Sequence, residues 1–134
     1  MSSSRVQRGR QSEAIVAAHL RKHGWPDAER TPASLPGKDI LNTGDIAFEV
    51  KARRGLDLPG WLRQAVSRKG FPVLVIRPDG SGEKNLEAWA MVIPFGLGVE
   101  LLRKAGYGSD GEDHGSAGDP GVQGEERELP VPLA

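Results

Sequence analysis

The chain of 134 residues is long enough for about one domain with a modest core. It contains no cysteine, which excludes disulfides and thiolate metal sites and is compatible with a reducing cytoplasm. The formal net charge is zero, but residues 1–107 carry 17 basic and 11 acidic side chains, whereas residues 108–134 carry one basic and seven acidic ones. A basic body suits a polyanionic partner, and the acidic end can shield it.

No stretch of the sequence predicts a membrane span or a signal peptide. The longest apolar runs, 71–76 and 88–93, are far shorter than the roughly 20 residues of a membrane-spanning helix. Residues 1–10 lack the apolar core of a signal peptide. We therefore expect a cytoplasmic protein without a membrane partner.

The first predicted element is an amphipathic helix over residues 7–23. Apolar residues recur at helical spacing in this segment, and Gly24 is typical of the position after a helix. Glu13 lies near the start of the helix, where a negative charge is favourable. A short strand is predicted over residues 28–31.

A β-hairpin is predicted next. Its strands cover residues 38–41 and 46–52, and the turn covers residues 42–45, Asn-Thr-Gly-Asp, since Asn and Gly tolerate positive φ at little cost. Apolar and charged residues alternate in the second strand, so Glu49 and Lys51 point to the same side.

Pairing of the two strands places Asp39 opposite Phe48 and Glu49, where cross-strand Cβ atoms are about 5 Å apart. Asp45 is left in the turn, about 13 Å from Glu49 along an extended strand. Two carboxylates at the shorter separation suit a hard cation such as Mg²⁺, which takes oxygen ligands and keeps several waters. Lys51 beside them can orient or help to deprotonate a metal-bound water, or offset charge at a phosphate. Two interpretations of the cluster stay open at this point, a metal site and a solvated charged face on a hairpin.

Four more elements and a tail follow the hairpin. Residues 57–69 predict a helix with an aspartate as N-cap, and the apolar run 71–77 predicts a central strand, parallel to its neighbour. Alternation predicts a strand over residues 85–93, and an amphipathic helix follows over residues 95–105. Residues 108–134, rich in Gly, Ser, Asp, Glu and Pro, predict a disordered acidic tail.

The order Asp39…Glu49-Val50-Lys51 resembles the D…(D/E)-x-K signature of the PD-(D/E)xK nuclease superfamily. Lys38 stands in place of the proline of that signature, which shapes the backbone and does no chemistry. The resemblance implies an α/β fold with a restriction-endonuclease-like core in the order α-β-β-β-α-β-β-α, in which helices flank a mixed sheet.

The first predicted helix looks like that of the archaeal-type Holliday-junction resolvases, a branch of this superfamily. The residues that carry the likeness are Gly9, Glu13, Leu20, Gly24 and Trp25. The implied organisation is a flexible N-terminus over residues 1–6, a nuclease domain over residues 7–107 and the tail from residue 108.

The resemblance also implies roles for individual residues. The catalytic set is Glu13, Asp39, Glu49, Lys51 and Gln64. The ligands for Mg²⁺, which Mn²⁺ can replace, are Glu13, Asp39, Glu49 and the backbone carbonyl of Val50. Contacts to DNA phosphates are expected from Arg10, Arg30, Ser34, Arg53, Arg54 and Arg68.

The implied function is that of a metal-dependent DNA endonuclease, a Holliday-junction resolvase in recombination, repair or phage DNA processing. Resolution needs two opposed nicks, so it predicts a homodimer that binds branched DNA. Three alternatives stay open. They are another DNase of the superfamily (nickase, exonuclease or restriction-like), an inactive DNA-binding module of the same fold, and an RNA-processing nuclease.

Overall fold

Three α-helices and five β-strands make up residues 2–109, the part of the chain that the computed structural model describes. Their order is α-β-β-β-α-β-β-α, as predicted, and the α/β class is confirmed. The helices are α1 (Ser2–Arg21), α2 (Leu58–Ser67) and α3 (Phe95–Lys104). The strands are β1 (Glu29–Arg30), β2 (Ile40–Leu41), β3 (Ile46–Lys51), β4 (Phe71–Ile76) and β5 (Ala90–Val92).

The chain divides into two compact units, the first ending at Pro94 and the second beginning at Phe95. In the second unit, α3 is followed by Gly106 with a φ of 104°, the left-handed conformation that commonly ends a helix. The predicted acidic tail lies outside the described residues from residue 110 onward. Within residues 2–109, no helix combines the length and apolar character that a membrane crossing requires.

β4 lies at the centre of a three-stranded mixed sheet, in agreement with its apolar sequence. β3 pairs with it in parallel, with Glu49 opposite Leu74, and β5 pairs with it antiparallel. The parallel connection runs through α2, whose N-cap Asp57 accepts a hydrogen bond from the amide of Gly60. The middle four residues of β3 and of β4 are buried, as expected for strands that are covered on both faces.

α1 and α2 cover opposite faces of the sheet. The main core combines apolar residues of α1, β3 and β4, which are Val16, Ala17, Leu20, Phe48, Val50, Val73 and Val75. α2 packs against β3 and β4 and buries Trp61 and Ala65. Because neighbouring side chains of a strand point to opposite faces, Glu49, next to Phe48, points to the α2 side.

The predicted hairpin forms its turn but not a continuous ladder. Asn42 and Gly44 adopt positive φ of 65° and 64°, and Asp45 lies in the turn, as predicted. The prediction that the strand before the turn pairs with β3 is wrong, since β2 pairs with β1 in a separate two-stranded antiparallel sheet. The ladder is interrupted because Asp39 bonds the amide of Val50 through its side chain and not through its backbone.

Two further elements differ from their prediction. α1 begins at Ser2, so residues 2–6, which were expected to be flexible, continue the helix. The segment predicted as a strand over residues 85–93 forms a turn of 3₁₀ helix, Leu86–Ala88, and only then β5. The indole Nε1 of Trp89 donates to the Gly82 carbonyl at 3.3 Å, which holds this segment back against the loop before it.

Arg77 ties α1 to the end of the sheet. It follows β4 and is only 5% exposed. Its Nη1 donates to Ser12 Oγ and to Gln11 Oε1, both at 3.0 Å, and its Nε donates to the Ser81 carbonyl at 3.2 Å. Because Ser12 directly precedes Glu13, this network fixes the position of Glu13 relative to the sheet.

Candidate active site

Asp39 is held at the free edge of β3 by both its backbone and its carboxylate. Its amide donates to the Phe48 carbonyl at 3.0 Å, and its Oδ2 accepts from the Val50 amide at 2.7 Å. Its carbonyl accepts from the Thr31 amide at 2.9 Å, which attaches the segment to the end of β1. Hydrogen bonds on both sides therefore restrict the carboxylate to one position beside β3.

Glu49 is a buried carboxylate with an internal counter-charge. Its side chain is 1% exposed and points from the middle of β3 toward α2. Arg68, the C-cap residue of α2, donates from Nε to Glu49 Oε1 at 2.7 Å. Burying an unpaired carboxylate is costly, so Arg68 stabilises the ionised form of Glu49.

The backbone of β3 turns the Val50 carbonyl toward Asp39. The Lys51 carbonyl accepts from the Arg77 amide at 2.8 Å, on the side of β4. The Val50 amide points the other way, to Asp39. Because the N–H and C=O of one residue leave an extended strand on the same side, the Val50 carbonyl points toward Asp39 too. Lys51 shares the face of Glu49, and its charge acts to lower the pKa of Asp39 and of Glu49.

α1 brings a third carboxylate, that of Glu13, near Asp39 and Glu49. Glu13 lies one helical turn before Val16, on the side of α1 that faces the core. Its Oε1 is 3.9 Å from Nη1 of Arg30, which β1 supplies. The side chains of Glu13 and Arg30 are 21% and 34% exposed, so the pair is partly accessible to water.

One cleft of about 410 Å³, called the carboxylate cleft below, collects these groups. It is lined by the first half of α1, the segment between β1 and β2, the end of β3, and α2. All five predicted catalytic residues line it: Glu13, Asp39, Glu49, Lys51 and Gln64. Val50 and the predicted DNA contacts Arg10, Arg30 and Arg53 line it as well.

Among the acids of the cleft, Glu13 has the most strongly shifted pKa. Burial, together with the negative charge of Asp39 and to a smaller extent that of Glu49, raises the pKa of Glu13 from 4.5 to about 7. Arg30 and Arg10 oppose this shift without cancelling it. Glu13 is therefore partly protonated near neutral pH when only the protein's own charges are present.

Burial also raises the pKa of Asp39 and of Glu49. For Asp39, burial outweighs the hydrogen bond from the Val50 amide, which lowers the pKa. For Glu49, burial outweighs the hydrogen bond from Arg68, and the charge of Asp39 raises the pKa further. Mutual repulsion among buried carboxylates is relieved by a bound cation, so the site is electrostatically suited to one.

The remaining predicted DNA contacts lie outside the carboxylate cleft. Arg54 follows Arg53 and lines a second cleft. Ser34 is exposed in the loop after β1. Arg68, the last of the predicted phosphate contacts, is half-buried against Glu49.

The contact between Arg68 and Glu49 has a signal in the sequence. Arg68 follows Gln64 by four residues, and residues with this spacing share one face of a helix. If Gln64 faces the site, then Arg68 faces it too. Arg5 lines the carboxylate cleft although it was not predicted to, and it joins Gly9 and Glu13 at intervals of four once α1 is extended to Ser2.

The donor set fits Mg²⁺. Asp39 and Glu49 each have a second carboxylate oxygen besides the one that accepts the hydrogen bond described above, and the Val50 carbonyl faces the same edge. Mg²⁺ is usually bound by one or two carboxylates together with waters. Within residues 2–109, no group of three or more His, Cys, Asp or Glu side chains is arranged to enclose a metal ion.

No protein-family model, curated protein or solved structure matches the chain. The residues and their geometry are therefore the basis for the function proposed below.

Arg68→Ala is expected to destabilise the protein in the absence of metal, because Glu49 loses its counter-charge. Breaking a fully buried ion pair costs about 3–5 kcal/mol. Arg68 is 31% exposed. We therefore expect a loss of about 1–3 kcal/mol in the free energy of unfolding, measured by urea titration in EDTA at neutral pH.

Arg63→Ala, an exposed change on the same helix, is the matched control and should stay within about 0.5 kcal/mol of wild type. An equal effect of the two substitutions would show that Arg68 does not stabilise Glu49.

Glu13→Gln should change the pH dependence of stability in EDTA. The folded-state pKa of Glu13, about 7, is above its ordinary 4.5, so the wild type loses stability as the pH rises between these values. The variant lacks this loss. It should match the wild type near pH 5 and exceed it near pH 8 by about 1–2 kcal/mol, allowing for solvent screening.

The measurement is urea unfolding of both proteins across this pH range. A Glu29→Gln variant, altered at an exposed glutamate outside the cleft, is the matched control for removal of one negative charge. A difference between Glu13→Gln and wild type that is constant with pH would contradict the raised pKa.

Proposed function

We propose that the chain is a metal-dependent nuclease of the PD-(D/E)xK type that hydrolyses phosphodiester bonds in DNA. The observation that supports this most strongly is the carboxylate cleft, where all five residues of the predicted catalytic set meet although they are far apart in sequence. A solvated charged face on a hairpin would not require Glu13 of α1 and Gln64 of α2 to share one cleft with Asp39.

We also propose that the fold has a restriction-endonuclease-like core. It is supported by the order of elements and by a mixed sheet in which β3, the strand that carries Glu49 and Lys51, is parallel to β4 through the α2 crossover. Helices on both faces of this sheet agree with that core.

Asp39, Glu49 and the Val50 carbonyl would hold Mg²⁺, or Mn²⁺ in its place, and Glu13 would help to bind a second ion. The bound metal supplies Lewis-acid polarisation of a phosphoryl oxygen. Two carboxylates and one carbonyl leave coordination positions for waters on Mg²⁺, or on Mn²⁺ in its place.

The chain's own residues would position the reacting groups. Lys51 orients the attacking water and stabilises negative charge on the phosphoryl group, and Gln64 holds Lys51 in place. The water oxygen bonds to phosphorus, the bond from phosphorus to the 3′ oxygen breaks, and a proton goes to that oxygen. The products are a 5′-phosphate and a 3′-hydroxyl.

The cations around the cleft favour a polyanionic substrate. Arg10, Arg30 and Arg53 line it, and each phosphate that a cation neutralises releases counterions. A junction-resolving activity is the form of the proposal that agrees with Gly9 and Glu13, which carry the resolvase-like pattern and both line the cleft. Such an enzyme would act on branched DNA as a two-fold homodimer.

A second candidate function is DNA binding without catalysis. The observation that favours it is the bond between Arg68 and Glu49 at 2.7 Å, which already neutralises one of the two principal metal ligands. In such a module the cleft would bind phosphates through its arginines, and Glu49 would serve the fold. This candidate predicts binding to DNA in Mg²⁺ or Mn²⁺ with no cleavage.

The test is a gel assay of the purified protein with a synthetic four-way DNA junction and a matched linear duplex. In Mg²⁺ we expect paired symmetric nicks in the junction while the duplex is spared. Lys51→Met should lower the rate about a hundredfold or more, since it removes a charge aimed at the reacting phosphate. Lys69→Met, at an exposed lysine, should leave it unchanged.

Each other outcome has a definite meaning. Equal cutting of junction and duplex keeps the nuclease and removes the junction specificity. Binding without cutting in Mg²⁺ or Mn²⁺ favours the inactive module. Full activity of Lys51→Met contradicts the proposed chemistry.

A further inference from the structure

A second cleft of about 540 Å³, called the arginine cleft below, lies beside the carboxylate cleft. Arg5 and Arg8 line it from the first turns of α1, and Arg53 and Arg54 line it from the segment that follows β3. Asp79 is the acidic side chain in this lining, with its Oδ2 3.7 Å from Nε of Arg54. The lining therefore carries an excess of positive charge.

The two clefts are continuous. Arg5, Ala52 and Arg53 line both of them. Arg53 follows Lys51 by two residues, so their Cα atoms are at most about 7 Å apart. A ligand with a row of anionic groups can therefore occupy both clefts at once, whereas a single small anion occupies one.

The arginines of this cleft keep most of their donors for a ligand. Arg5 is exposed, and the side chain of Arg54 is 89% exposed, so its pair with Asp79 contributes little. Arg8 is half-buried and donates one bond, from Nη2 to the Pro78 carbonyl at 3.3 Å, which orients its guanidinium. The planar donor fork of arginine matches the oxygens of a phosphate.

We propose that the arginine cleft binds the phosphodiester backbone of a nucleic-acid strand that also passes through the carboxylate cleft. The inference rests on the proposed function, because it gives the path of the substrate on one side of the reacting phosphate. Arg5, Arg8, Arg53 and Arg54 neutralise phosphates beyond that point. The extra helical turn at the start of α1 thereby becomes part of the binding surface.

The test compares two double variants that each remove two positive charges. Arg5→Gln with Arg54→Gln alters the arginine cleft at exposed positions, and Lys22→Gln with Arg63→Gln alters exposed cations that line neither cleft. Binding of a short fluorescein-labelled DNA duplex is followed by fluorescence anisotropy in EDTA over a series of salt concentrations. Thermal unfolding checks that both variants are folded.

For the cleft variant we expect weaker binding and a salt dependence that is shallower by about 1.8 in the slope of log K against log salt, since each lost phosphate contact contributes about 0.9. The control should keep the wild-type slope. Equal slopes for the two variants, or a wild-type slope for the cleft variant, would overturn the inference.

The assay separates this inference from the proposed function because it needs neither metal nor cleavage. If the cleft variant keeps the wild-type slope and Asp39→Asn abolishes cutting by the protein, the arginine-cleft proposal is rejected and the nuclease proposal is retained. A shallower slope in a protein that never cuts supports the arginine cleft and rejects the nuclease.

Discussion

The hydrogen bond from the Val50 amide to Asp39 Oδ2, at 2.7 Å, is the contact on which the candidate site depends. β3 lies at one edge of the three-stranded sheet, and an edge strand presents unpaired amides and carbonyls. Here a carboxylate takes one of these amides, where a neighbouring strand would otherwise supply a carbonyl. This interruption of the ladder places the Asp39 carboxylate beside the Val50 carbonyl. Glu49 and Lys51 flank Val50 in the chain.

The charges of the acids in the carboxylate cleft are offset in part by the protein's own cations. Glu13 lies near Arg30, and Glu49 is bonded to Arg68. The charge of Lys51 acts on Asp39. These cations do not cancel the effect of burial and of the neighbouring acids, which together raise the pKa of Glu13 and of Glu49. A divalent ion bound as proposed would relieve the repulsion among the acids, and the arginine cleft would extend the positive region along a strand.

The sequence predicts the site better than it predicts the pairing of strands. Alternation in β3 and the turn at Asn42 and Gly44 are local signals, and they correctly bring Asp39 to β3. The pairing of β2 with β1 depends on the Asp39 carbonyl, which accepts from Thr31 while the Asp39 carboxylate takes the Val50 amide, and no periodicity encodes that choice. The 3₁₀ turn at Leu86–Ala88 likewise depends on a tertiary contact, the hydrogen bond from the Trp89 indole to Gly82. The start of α1 is difficult to predict because residues 2–6 include only one apolar side chain, Val6.

The most direct test of the central claim, that Asp39 and Glu49 form a metal site, is calorimetric titration of the DNA-free protein with Mg²⁺ and with Mn²⁺. We expect a binding event in the wild type that both Asp39→Asn and Glu49→Gln abolish. Asp45→Asn, an equivalent change in the adjacent turn, should retain it. Absence of binding in the wild type, or equal binding by all four proteins, would contradict the assignment of these carboxylates as metal ligands.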